Sequence, residues 1–361
     1  MDLSLPQLCG QLIVGGFPGT ELPEALSTEL LAGRRAGVIL FKRNLPDAET
    51  AHELSSSVVD ACPDELPPFI GVDQEGGRVA RFGEPVIQLP PMRVLGGIGD
   101  RDLVQRAAAA LAAELSAIGI NLDFAPVLDV DSNPKNPIIG DRSFGNDPDT
   151  VARLGRAFIR GLQEGSVLAC GKHFPGHGDT KKDSHVDLPV VGRSKEQLDA
   201  VELPPFRAAS HGGLAAMMTA HVVYEELDPG VPATLSRPIC TGLLRTELGF
   251  GGVLFSDDLE MRALSDRYSI EQSAVAAVRA GCDALLICSD LELQKRAHAA
   301  LVDKATTDDS FHSRCNEAVA RSLAARRQTP ARPVPSVEQL RALLESDEAH
   351  AVLDEIAERT A

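Results

Sequence analysis

The chain has 361 residues, 43% hydrophobic and 24% charged, enough to bury a large core in one big α/β domain or two smaller ones, and this composition excludes a disordered chain. Its formal net charge of -17 and pI near 5.0 argue against a nucleic-acid or anionic-membrane partner, because a broad negative field repels phosphate. An anionic ligand must find a local basic pocket.

The segment Met1 to Pro6 lacks a basic stretch followed by a long apolar run, and no 18-residue apolar span follows, so the expectation is a cytoplasmic protein. Short apolar runs then recur at Gln11 to Val14, Val38 to Phe41, Phe69 to Val72, Asn121 to Phe124, Val167 to Cys170, Ala215 to Thr219, Val253 to Phe255 and Ala284 to Cys288. Between them lie segments of helical spacing, among them Leu103 to Ile118, Val151 to Glu164 and Ile270 to Ala280. Eight such alternations predict a (β/α)8 TIM-type barrel, with a doubly wound open sheet as the alternative. Residues 1–328 are read as the catalytic barrel. Thr329 to Pro335 is a rigid connector, and residues 329–361 form a C-terminal helical extension with an amphipathic helix near Val337 to Leu344, not a second catalytic domain. Seven cysteines without close metal-type pairing read as reduced core thiols.

Polar groups follow the apolar runs repeatedly: Asp73 after the third, Asp123 and Asp129 around the fourth, Lys172-His173 after the fifth, His221 after the sixth, Asp257-Asp258 after the seventh. The densest stretch runs from Lys172 to Pro189. Its three His, three Asp, Gly and Pro suit a loop with chemistry rather than a regular element. Within it Asp183 and His185 form an acid/base dyad: a carboxylate holds one imidazole nitrogen and leaves the other free for proton exchange. A polar loop held by its own hydrogen bonds is the plainer alternative. A zinc site of His173, His177, His185 and Asp183 also fits superficially, but the spacing matches no helical pair and leaves Lys172 beside a cation.

In Ser256-Asp257-Asp258 an apolar strand ends in two acids, one able to aim into a pocket and the other to cap the next helix. Asp73, Arg78 and Arg81 surround a Gly-Gly turn, where an acid could grip hydroxyls and an arginine could pair with an acyl oxygen. Arg142, alone among small residues in the loop after the fourth strand, is either an anion or amide ligand or a solvated surface side chain.

The combination of Lys172-His173-Phe174-Pro175-Gly176-His177-Gly178, Asp183-Ser184-His185 and Ser256-Asp257-Asp258-Leu259 resembles glycoside hydrolase family 3, in its β-N-acetylglucosaminidase branch. Gly37-Val38-Ile39-Leu40-Phe41 with Arg43-Asn44, Asp73 to Arg78, and Gly140 to Phe144 extend the resemblance over most of the chain. It implies a barrel with Asp257 as nucleophile, His185 as acid/base oriented by Asp183, and sugar-binding roles for Asp73, Arg81, Arg142, Lys172 and His173. The implied reaction retains configuration and needs no cofactor and no metal. A histidine acid/base repels anions less than a carboxylate does, which leaves phosphorolysis as an alternative to hydrolysis. Glu260 departs from the family, which usually has a small residue there, and is expected to alter the pocket rim. The resemblance and two Tyr with no Trp favour a short carbohydrate, N-acetylglucosaminyl-1,6-anhydro-N-acetylmuramic acid with or without its peptide in cell-wall recycling, and a monomer is expected.

Overall fold

A computed structural model of the protein describes residues 3–180 and 188–360. Eight parallel strands, β1 (Ile13–Gly15), β2 (Gly37–Leu40), β3 (Phe69–Val72), β4 (Leu122–Asp123), β5 (Leu168–Phe174), β6 (Ala216–Thr219), β7 (Val253–Phe255) and β8 (Leu285–Ile287), pair in the order β8-β1-β2-β3-β4-β5-β6-β7. The ring closes between β7 and β8 through the parallel bridge Phe255 to Ala284, with the Ser256 amide donating to the Ala284 carbonyl at 2.9 Å. This is the (β/α)8 barrel, and the open-sheet alternative falls on that closing bridge. A two-stranded ribbon of Val190–Val191 and Val223–Tyr224 lies outside the ring.

Side chains alternate across each strand as a pleat requires. On β2, Val38 and Leu40 join the core beneath the surrounding helices while Ile39 points into the barrel. Inside, the Phe255 ring meets Phe69 and Phe124 edge to face, with centroids 5.3 and 5.4 Å apart. The fully buried Arg326 caps this interior from below, its guanidinium 5.2 Å from the Phe69 centroid and bonded to the Ala36 and Pro67 carbonyls. The alternation explains why the apolar runs were visible in the sequence: a strand covered on both faces has no polar side to show.

The helices begin where the sequence supplies caps. Asp147 accepts from the Thr150 amide at 2.9 Å and Pro148 occupies the first turn of helix Pro148–Glu164; Asp100 caps Arg101–Ile118 in the same way. The two helices pack closely at Gly161, where a Cβ would collide with the Gln105 carbonyl. Past the connector, helices Val337–Leu344 and Asp347–Glu358 lie against Arg101–Ile118, fastened by the ion pairs Arg106 to Glu355 and Arg359 to Asp100, each 2.7 Å long. The second of these helices was not anticipated from the sequence. All seven cysteines are free. No helix among the described residues is long and apolar enough to cross a membrane.

Candidate active site

Strand β5 runs on to Phe174, so Lys172 and His173 lie on the strand itself and not in a loop after it. The ladder continues past the apolar run because neighbouring backbone takes it up. The Leu128 amide donates to the Lys172 carbonyl at 2.7 Å and the Ala220 amide to the Phe174 carbonyl at 2.8 Å, with a register shift between Gly171 and Phe174. Burying a lysine and a histidine there is tolerated only because both are paired.

Lys172 Nζ lies 2.7 Å from Asp73 Oδ1 and 2.6 Å from Glu75 Oε1. Arg142 grips Glu75 with two parallel bonds, Nε to Oε2 at 2.8 Å and Nη2 to Oε1 at 2.7 Å, and Arg81 Nη2 donates to Asp73 Oδ2 at 3.0 Å. The series Arg81, Asp73, Lys172, Glu75, Arg142 thus alternates in sign along one wall of the barrel mouth, three cations to two carboxylates. Burial alone would raise the Glu75 pKa, yet the Arg142 and Lys172 charges overcome it and hold the group near 2. Asp73 is likewise held well below the ordinary carboxylate range by Lys172 and Arg81 against its burial. The Arg142 reading as a solvated surface side chain is therefore wrong. The protein itself supplies its anion, Glu75, which sequence reasoning passed over. An ammonium has three donors, so with two engaged among the described residues Lys172 keeps one for a ligand.

His173 is oriented by Asp129, whose Oδ2 sits 2.7 Å from Nδ1 and whose carboxylate also accepts from the His173 and His177 amides. Among the described residues Nε2 is left for a ligand. Asp129 was also missed as a site residue, although an acid inside the apolar stretch Val127 to Val130 has to find a partner when buried. His177 Nδ1 lies 2.8 Å from the Thr180 hydroxyl, and its carbonyl accepts from Asn136 Nδ2 at 2.8 Å. Burial, with the neighbouring His173, pushes the His177 pKa down to about 4, so the ring is neutral at neutral pH.

Across the mouth, Asp257 follows β7, and its Oδ1 accepts from the Asp258 amide at 2.8 Å. Asp258 Oδ1 accepts from the Glu260 and Cys288 amides at 3.1 and 3.3 Å, tying the end of β7 to β8. Neither acid caps the short helix Arg262–Ser265, which starts after Met261 without a side-chain cap. Burial pushes the Asp258 pKa up to about 7. Glu260, expected at the rim, turns its carboxylate to the Ser289 and Asp290 amides.

Asp73, Arg81, Arg142, Lys172, His173 and Asp257 all line one cavity of about 300 Å3, closed by apolar groups including Phe41, Met218 and Met261. That volume is at the low end for ligand pockets and suits a single sugar ring. Asp183 and His185 lie outside the described residues; of their neighbours, Asp179 and Arg193 form an ion pair at 2.7 Å. Among the described residues no group of three or more His, Cys, Asp or Glu is placed to hold a metal ion.

The chain matches the family described as glycosyl hydrolase family 3 N terminal domain over residues 5–324. It is 42% identical over 298 residues to the beta-hexosaminidase of Neisseria meningitidis serogroup C, covering 81% of each chain. A glycoside hydrolase family 3 beta-N-acetylglucosaminidase from Paenibacillus sp. str. FPU-7 superposes with a TM-score of 0.91 at 39% identity, over 99% of this chain and 69% of that one. NagZ from Neisseria gonorrhoeae, solved in complex with N-trifluoroacetyl-D-glucosamine, superposes with a TM-score of 0.81 at 36% identity, over 97% of this chain and 98% of that one. A barrel with a cationic sugar-sized mouth and relatives of this extent lead to one conclusion: the chain belongs to glycosyl hydrolase family 3.

Proposed function

We propose that the protein is an exo-β-N-acetylglucosaminidase that releases N-acetylglucosamine with retention of configuration, Asp257 acting as nucleophile and His185 as acid/base. The observation that carries this reading is the single cavity shared by Asp257 and the wall of Asp73, Arg81, Arg142, Lys172 and His173. The beta-hexosaminidase name of the Neisseria meningitidis relative and the glucosamine derivative bound by the Neisseria gonorrhoeae protein support the sugar.

In the first step a carboxylate oxygen of Asp257 forms a bond to the anomeric carbon as the glycosidic bond breaks, and His185 gives its proton to the leaving oxygen while Asp183 stabilises the ring orientation. In the second, neutral His185 takes a proton from water, whose oxygen displaces Asp257 and frees the sugar. Lys172, His173 and Arg142 hold hydroxyl and acetamido oxygens, and Asp73 accepts from a hydroxyl. The hydrolase names of the relatives favour water over phosphate as the acceptor. The small cavity favours a short substrate. We take it to be N-acetylglucosaminyl-1,6-anhydro-N-acetylmuramic acid, with or without its peptide, turned over in cell-wall recycling in the cytoplasm.

Turnover of an aryl N-acetyl-β-glucosaminide against an aryl β-glucoside tests the reading. The acetamido sugar should be cleaved on the order of 10²-fold better. Asp257→Ala should lose on the order of 10⁴-fold or more in kcat while staying folded. Retained turnover by that variant ends the assignment, and formation of a sugar 1-phosphate in phosphate buffer would mean that phosphate, not water, is the acceptor.

A further inference from the structure

The barrel is thinnest beside Asp257. β7 and β8 meet through one parallel bridge, Phe255 to Ala284, whereas β2 and β3 align four residue pairs. Side chains and loop backbone make up the difference above that bridge. Ser256 Oγ accepts from the Leu286 amide at 3.0 Å, the Leu259 amide donates to the Leu286 carbonyl at 3.0 Å, and Asp258 Oδ1 accepts from the Cys288 amide at 3.3 Å.

Glu260 makes the outermost of these ties. Its Oε2 accepts from the Ser289 amide at 2.6 Å and its Oε1 from the Asp290 amide at 3.1 Å, while its own amide donates to Asp258 Oδ1. Those amides stand at the entrance to helix Leu291–Thr307, for which Asp290 is the cap. A carboxylate is favoured there by the exposed N–H groups and by the helix dipole. Asp257 sits within this stitched loop and does not share its ties.

We propose that Glu260 is a positioning residue for the nucleophile, its carboxylate fixing the loop from Asp257 to Met261 against the entrance of helix Leu291–Thr307 and so setting the distance from Asp257 to the anomeric carbon. The proposal rests on the assignment of Asp257 as nucleophile. The sugar is held by residues of β5 and of the loops after β3 and β4, on the opposite side of the mouth. Releasing Glu260 therefore moves the nucleophile relative to the sugar without loosening the sugar. A displacement of about 1 Å at a reacting group costs on the order of 10²-fold in rate.

The test compares steady-state kinetics of the wild type, Glu260→Ala, Glu260→Gln and Asp257→Ala on an aryl N-acetyl-β-glucosaminide, with circular dichroism to verify folding. Glu260→Ala should lose about tenfold to a hundredfold in kcat with KM within about twofold of wild type. Glu260→Gln, whose amide oxygen can still accept from one of the two amides, should recover part of that loss. Wild-type kcat in Glu260→Ala, or a loss carried mainly by KM, overturns the proposal. Should Glu260→Ala not fold, Glu260→Gln must itself show lowered kcat at unchanged KM, or the proposal fails. Wild-type turnover by Asp257→Ala would instead show that the nucleophile assignment was at fault.

Discussion

The two sides of the barrel mouth are built on opposite principles. On the side of β3 to β5, Asp73 and Glu75 are saturated with cations: Lys172 bridges them, Arg142 grips one in bidentate fashion and Arg81 pairs with the other. On the side of β7, Asp257 accepts one hydrogen bond among the described residues, from the Asp258 amide, and the rigidity sits in the residues around it. A surface that recognises hydroxyls gains from being fixed before the sugar arrives, because it need not reorganise on binding. A nucleophile needs lone pairs that are not committed elsewhere. The contrast fits a division of labour between holding and attacking.

Breaking the charged wall should have the larger effect on stability. Lys172→Met leaves the Asp73 and Glu75 carboxylates buried with no cation between them, and removing one partner of a buried pair costs about 3–5 kcal/mol. Urea denaturation should show that loss, together with a raised KM. A variant as stable as wild type would mean that the wall is not an interdependent unit.

Acid and alkali should separate the two sides with smaller effects. Glu75 titrates near 2 in the fold against an ordinary 4.5, so its contribution is complete above about 4.5 and is lost as pH falls towards 2. His177, near 4 against 6.5, acts in the same direction, since the unfolded chain takes up the proton first and stability falls as pH drops from 6.5 to 4. Asp258 is the reverse. Its pKa near 7 against 3.8 means that the fold prefers the protonated acid, and the associated stability is lost as pH rises through about 7. Asp258→Asn should therefore gain on the wild type between pH 4 and 8, by about 1–3 kcal/mol. A difference in melting temperature between the two proteins that does not change with pH would contradict this.

All eight strands lay where the apolar runs placed them to within a few residues, and helices Ile270–Ala280 and Val337–Leu344 matched their predicted bounds. These features are legible because burial on both faces of a strand, or on one stripe of a helix, writes itself into local composition. Lys172 and His173 were misplaced for the opposite reason. Their chemistry looks like a loop until Asp73, 99 residues away, and Asp129 are brought beside them. Glu75 was invisible for the same cause, its role being set by Arg142 and Lys172 rather than by its neighbours in the chain. Glu260 was noticed only as an oddity, because Ser289 and Asp290 meet it solely through barrel closure. Helix Asp347–Glu358 divides evenly between polar and apolar residues and depends on packing against Arg101–Ile118.

The claim that Asp257 is the attacking group can be read directly. Incubation with a 5-fluoro N-acetylglucosaminyl fluoride, which slows both steps while keeping a good leaving group, should add one sugar mass to the intact protein. Peptide mapping should then place it on Asp257, with no adduct on Asp257→Asn. An adduct on Asp258, or turnover of an ordinary substrate by Asp257→Asn at the wild-type rate, would contradict the account.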